Sequence, residues 1–195
     1  MKHIENEHFD MRAGLDALYR LALWLAAISL VIIALLVGLQ LGGRLVDGAL
    51  KLAGLSPFGL VIFSLGEIAG YLLAAASFLA LAATLKAGAH IRVTMVLAAF
   101  GEAKRRYVEV WALAAAAAFS AYVTWHLGSF TYYSWKFNEV SHGLVPVPLA
   151  IPQAAMTAGI LVLTIAFLDE LAIVLRGGRP TFRGAEDALT LGKEG

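Results

Sequence analysis

Four long apolar runs dominate this sequence of 195 residues and limit what it can fold into. Each run is long enough for a helix to cross a bilayer core of roughly 30 Å, which takes about 20 apolar residues. The chain is 60% hydrophobic, only 15% charged and has a mean hydropathy of +0.77, which exceeds the apolar content of a soluble domain. We therefore predict an all-α integral membrane protein with four transmembrane helices, at about residues 17–41, 57–85, 107–128 and 151–175.

The lysines and arginines predict which side of the membrane each connection faces. Cytoplasmic loops carry an excess of these residues, and the clusters here lie before the first run, between the second and third, and after the fourth. We therefore expect the N-terminal segment 1–16, the loop 86–106 and the tail 177–195 to be cytoplasmic. The loop contains a membrane-surface basic cluster of Lys104, Arg105 and Arg106, which suits an anionic leaflet.

Two shorter segments have the amphipathic spacing of helices that lie along a membrane surface. In residues 44–55, apolar side chains at helical spacing oppose Arg44, Asp47 and Lys51. An irregular loop is an equally good interpretation, because the segment is rich in glycine and each glycine costs a helix about 1 kcal/mol. Residues 90–101 form the second candidate interfacial helix.

Glu67 is the only charged residue inside the second apolar run, which we expect to begin at Pro57 with Ser56 as its N-cap. An ionisable residue within a membrane segment is a functional candidate by default. The alternative is that Glu67 lies at the outer interface, because this helix is longer than the bilayer is thick. We interpret Glu67 as a structural or subunit-contact group, with Arg44 as the nearest candidate partner in the chain and a basic group of another subunit as the competing one.

Two acidic residues, Asp169 and Glu170, lie in the last turns of the fourth run. Arg176 and Arg179 follow within two turns, close enough along a helix for ion pairing. We therefore expect a solvated ion cluster at the level of the lipid headgroups, and not an ion-transport site.

The sequence offers little to an enzyme or a cofactor. It contains no cysteine, which excludes disulfides and thiolate metal sites. Its histidines do not share one depth, as a bis-histidine haem site requires: His90 and His126 are predicted near opposite faces, His142 in an external loop, and His3 and His8 in the N-terminal segment. Zinc and phosphate-binding motifs are also missing. We predict no enzyme activity, no cofactor, no metal site and no nucleic-acid partner.

Several short motifs follow one another along the apolar runs. They are Gln40 followed by Arg44, then Gly66-Glu67-Ile68, then Leu85-Lys86-Ala87-Gly88-Ala89-His90-Ile91-Arg92-Val93, then Gly143-Leu144-Val145-Pro146-Val147-Pro148, and then Ile151-Pro152-Gln153. In this order, across residues 21–175, they resemble the small membrane subunit of TRAP (tripartite ATP-independent periplasmic) transporters, also called the Q or DctQ-type subunit. The chain departs from the family at Thr94, where an acidic residue is common.

The resemblance implies a subunit of an ion-coupled, sodium-driven importer of a small organic acid in the inner membrane of a bacterium or archaeon. A periplasmic binding protein would deliver the acid, and a large TRAP membrane subunit, which this chain braces, would hold the substrate and sodium sites. We expect structural or subunit-contact roles for Glu67, Arg44, His90, Arg92, Pro146, Pro148 and Pro152, with membrane lipids as further partners. The alternatives are a stand-alone four-helix membrane enzyme or haem electron carrier, and a small autonomous exporter.

Overall fold

The computed structural model describes residues 2–87 and 102–178, with the backbone alone for residues 2–11, 13 and 102–105. These residues form four long helices, α1 (Lys2–Leu52), α2 (Leu65–Lys86), α3 (Glu102–Lys136) and α4 (Ala150–Leu175). Each helix is long and apolar enough to cross a membrane. The predicted all-α fold with four transmembrane helices is therefore confirmed. The candidate interfacial helix at 90–101, with His90 and Arg92, lies outside the described residues.

Helix α1 is one continuous helix of 51 residues. At about 1.5 Å per residue it is roughly 76 Å long. The sequence predicted a break near residue 42 and a separate helix or loop at 44–55, and this prediction is wrong because α1 continues to Leu52. Gly43 has a packing reason to be in the helix: a Cβ atom there would lie 3.0 Å from the Leu60 side chain, so glycine lets the following segment return close to α1.

The segment between α1 and α2 runs back beside α1 without forming a helix. The Asp47 carboxylate accepts hydrogen bonds from the backbone N–H groups of Phe58 (2.6 Å) and Gly59 (3.1 Å). Gly59 has a φ of +72°, which a right-handed helix does not contain. The predicted helix start at Pro57 is therefore wrong, and α2 begins at Leu65 after Ser64.

Helices α2 and α4 form the centre of the bundle. Helix α4 packs against both α2 and α3, whereas α1 packs mainly against α2. Five of the eleven buried core residues are alanines, and small residues of this kind let helices approach closely in lipid. The buried core comprises Tyr19, Ala22, Ala26, Ala76, Leu79, Ala82, Leu85, Ile160, Val162, Leu163 and Ala166. We refer below to the two ends of the bundle as the Lys86 end and the Ser64 end, after the residues at the two ends of α2.

Helices α3 and α4 are joined by two pairs of threonines. The hydroxyl oxygens of Thr124 and Thr164 lie 3.1 Å apart, and those of Thr131 and Thr157 lie 2.9 Å apart. Hydrogen bonds of this kind between membrane helices contribute about 0.6 kcal/mol each on average.

Helix α3 extends to Lys136, further than the predicted end at residue 128. The aromatic residues between 129 and 136 therefore belong to the helix. The hydroxyl groups of this segment fit a helix because Ser129 and Thr131 donate hydrogen bonds to the carbonyl oxygens four residues earlier. The chain leaves the helix at Asn138, which has a φ of 50°, a left-handed conformation that asparagine tolerates.

Candidate functional site

An ion cluster at the Lys86 end joins three helices. The Lys86 Nζ atom lies 2.6 Å from Asp169 Oδ2 and 2.9 Å from Glu170 Oε1, which connects α2 to α4. The same ammonium group lies 5.2 Å from the centre of the Tyr19 ring, within range of a cation–π contact with α1. One positive charge therefore interacts with groups on all three helices.

The burial of this cluster shows that it is structural and not a solvated surface group. The Glu170 side chain is 0% exposed, and those of Lys86 and Asp169 are 19% and 20% exposed. The sequence had placed Asp169 and Glu170 in a solvated cluster with Arg176 and Arg179, and that interpretation is wrong. Both carboxylates pair with Lys86, which lies 83 residues from Asp169 in sequence. The sequence did contain a signal for this pairing, because Lys86 and the acidic pair lie near the ends of two helices on the same predicted side of the membrane.

Arg106 holds the end of α4. Its Nη2 atom donates hydrogen bonds to the carbonyl oxygens of Val174 (3.3 Å) and Leu175 (3.4 Å). These carbonyls belong to the last turn of α4, and no N–H group within the helix can donate a hydrogen bond to them. Arg106 thus serves as a C-terminal cap from a neighbouring helix. The side chains of Lys104 and Arg105, the other members of the predicted basic cluster, lie outside the described residues.

A second polar cluster surrounds Glu67 at the Ser64 end. Tyr71 donates a hydrogen bond of 2.8 Å to Glu67 Oε1. The other carboxylate oxygen, Oε2, is buried and has no hydrogen-bond partner within the described part of the chain. The predicted pairing with Arg44 is not seen, since both ion pairs found among the described side chains involve Lys86.

The loop between α3 and α4 closes over Glu67. A Cβ atom on Gly143 would clash with the Glu67 carboxylate, so a side chain at this point of the loop would have to displace the end of Glu67. The backbone N–H of Val145 donates a hydrogen bond of 3.1 Å to Ser64 Oγ. The tertiary structure therefore brings together the motifs Gly66-Glu67-Ile68 and Gly143-Leu144-Val145, which the sequence could identify only separately.

Three prolines shape the return of the loop into α4. Between Pro146 and Pro148, the N–H of Val147 donates a hydrogen bond of 3.1 Å to Ser141 Oγ. The N–H of Ser141 in turn donates to the Val147 carbonyl oxygen at 2.9 Å. Pro152 is buried in the first turn of α4, where its missing N–H leaves no helical hydrogen bond unmade.

The polar contacts in the two clusters hold neighbouring segments of the bundle together. Within the described ranges, no group of three His, Asp or Glu side chains could hold a metal ion. His126 packs against Tyr122 in α3, with ring centres 4.3 Å apart. Glu67 and Lys86 lie near opposite ends of α2, and no charged residue lies between them on that helix.

Comparison with known families gives one match. The model of the family described as "Tripartite ATP-independent periplasmic transporters, DctQ component" matches residues 58–177, more than half of the chain. The matched range includes α2, α3 and α4 and therefore both clusters apart from Tyr19. No curated protein and no solved structure matches the chain.

Proposed function

We infer the function of this chain from its family, since it belongs to the DctQ component family of tripartite ATP-independent periplasmic transporters. We propose that it braces the large membrane subunit of an ion-coupled importer. Family membership makes the chain a transporter component, and its four apolar helices make it a multi-pass membrane protein. The proposal adds that sodium drives the import of a small organic acid delivered by a periplasmic binding protein. It also places the complex in the inner membrane of a bacterium or archaeon.

The distribution of charged groups is the observation that carries the bracing role. A pathway for substrate and ions through a membrane needs several polar or ionisable groups along its length. Here Lys86 forms ion pairs with Asp169 and Glu170, and the loop between α3 and α4 covers Glu67 at the other end of α2. A chain built in this way suits a structural subunit whose partner holds the transport sites.

The surface of α1 supports the same role. Helix α1 packs mainly against α2, so most of its circumference faces away from the bundle. Leu35 and Leu45 on this helix are 66% and 68% exposed. Apolar side chains at this exposure suit contact with lipid or with a larger membrane protein.

Reconstitution into proteoliposomes tests the proposal. Vesicles would contain this chain alone, the large subunit alone, or both, with the binding protein and a labelled organic acid outside. We expect uptake driven by a sodium gradient only when both membrane subunits are present. Uptake by this chain alone would instead establish an autonomous transporter, and a haem absorption band in the purified chain would establish an electron carrier. Either result would overturn the proposal.

A further inference from the structure

A groove between α1 and α4 at the Lys86 end combines charged and apolar walls. Its volume is about 480 Å³, and it exists because α1 and α4 scarcely touch each other. Its walls are formed chiefly by Arg12 and Leu15 of α1, by Ile165, Leu168 and Ala172 of α4, and by Arg176, which follows α4. Neither the established family nor the bracing role assigns any function to this groove.

The two arginines of the groove are available to bind an anion. Arg12 and Arg176 are exposed, and neither guanidinium group makes a hydrogen bond or an ion pair with any residue that the structure describes. Asp169 also lines the groove, but its carboxylate is held by Lys86 at 2.6 Å. Among the described side chains of the groove and the ion cluster, two arginines and one lysine stand beside two carboxylates, an excess of one positive charge that suits a single anionic group.

The apolar part of the groove is about as long as one leaflet of the bilayer core is thick. Ile165 lies 11 positions before Arg176, the residue that follows α4, and this separation corresponds to about 16 Å of helix. This distance is close to half of the roughly 30 Å hydrocarbon core. A molecule with its charge at Arg12 and Arg176 would therefore lie with its apolar part along Leu168 and Ile165.

We propose that this groove is a binding site for one anionic phospholipid from the leaflet at the Lys86 end. Arg12 and Arg176 bind the phosphate of the headgroup, since guanidinium groups match phosphate oxygens in geometry as well as charge. One acyl chain follows the wall formed by Leu15, Leu168 and Ile165. The lipid thereby fills the gap that the described residues leave open between α1 and α4.

Native mass spectrometry of the full-length chain in mild detergent provides the test. Phosphatidylglycerol and phosphatidylcholine are titrated separately, and we expect tighter binding of phosphatidylglycerol. Replacing both arginines (Arg12→Gln with Arg176→Gln) should weaken phosphatidylglycerol binding about tenfold, because each basic group near an anionic headgroup contributes measurably to affinity. The matched control is Arg44→Gln with Lys51→Gln, which removes two basic residues from the other end of α1 and should leave binding unchanged.

Two further measurements distinguish a phospholipid site from a site for free phosphate. Ala172→Trp fills the apolar wall while keeping both arginines, so it should also weaken binding of the lipid. Inorganic phosphate in large excess should not displace phosphatidylglycerol. Equal binding of the two lipids, no loss in the double arginine variant, no effect of Ala172→Trp, or displacement by phosphate would each overturn the proposal. Circular dichroism would establish that the variants compared are folded.

Discussion

Gly159 of α4 lies directly against the backbone of Phe78 in α2, with no room for a side chain between the helices. A Cβ atom on Gly159 would lie 2.5 Å from the Phe78 carbonyl carbon. The replacement Gly159→Ala should therefore force the helices apart and lower the free energy of unfolding by about 1–3 kcal/mol. Thermal unfolding in detergent measures the change. The control Gly70→Ala, where no atom lies within 4 Å of the added Cβ, should be neutral or stabilising.

The second prediction concerns the ion cluster. Lys86→Met removes the ammonium group from two carboxylates, one of which is fully buried. Breaking a buried ion pair in this way costs about 3–5 kcal/mol, and we expect a loss of stability of that size. Chemical unfolding in detergent measures it, with Lys51→Met at the exposed end of α1 as the control.

A compensating variant shows whether that loss comes from the unpaired charges. Lys86→Met combined with Asp169→Asn and Glu170→Gln removes all three charges together. It should regain most of the lost stability, since the cost arises from leaving charges buried without their partner. If the triple variant were no more stable than Lys86→Met alone, the cluster would not be a stabilising ion pair.

The third prediction tests the contact between Gly143 and Glu67. Gly143→Ala places a methyl group where the Glu67 carboxylate lies, so it should push that carboxylate away from Tyr71 and destabilise the protein by about 1 kcal/mol. Glu67→Ala removes the carboxylate and makes room. In a double-mutant cycle, Gly143→Ala should therefore cost much less in the Glu67→Ala background. Equal costs in both backgrounds would mean that the two residues do not meet.

The fourth prediction concerns the role of Glu67 in the transporter. Glu67→Gln keeps the size of the side chain but removes its charge. We expect less complex to assemble with the large subunit, and an unchanged ratio of ions to substrate in the complex that forms. Co-purification yield and flux measurements in proteoliposomes report the two quantities. Normal assembly with loss of sodium dependence would place Glu67 in the ion pathway.

The fifth prediction is the orientation of the bundle. Single cysteines at Leu52 and Asn138, both at the Ser64 end, should react with an impermeant thiol reagent in intact cells. A cysteine at Ala103 should react only after the membrane is opened, because the basic clusters predict a cytoplasmic Lys86 end. The chain has no native cysteine, so each label reports one site. Labelling of Ala103 in intact cells would reverse the orientation.

The sequence was most informative about the number and approximate position of the helices. The length of an apolar run can be read from the local sequence, and the four apolar runs correspond to the four helices. Helix ends were less predictable, because they depend on contacts with other segments. Glycines near residue 43 suggested a break in α1, but Leu60 packs on Gly43 and Asp47 binds the returning chain, so the helix continues. The third helix was predicted to end at residue 128, but the aromatic residues that follow extend α3 to Lys136.

The sequence by itself identified Glu67 as an ionisable residue inside a predicted transmembrane run, and Asp169 and Glu170 as an acidic pair near the end of another. Only the tertiary structure decided that Lys86 meets that pair and that Gly143 covers Glu67. The physical reason is that lipid is as apolar as the interior of the bundle, so hydrophobic side chains occur all around each helix and no apolar stripe marks the buried face. Helix rotation and register are instead set by close contacts such as Gly159 on Phe78, which involve residues far apart in sequence.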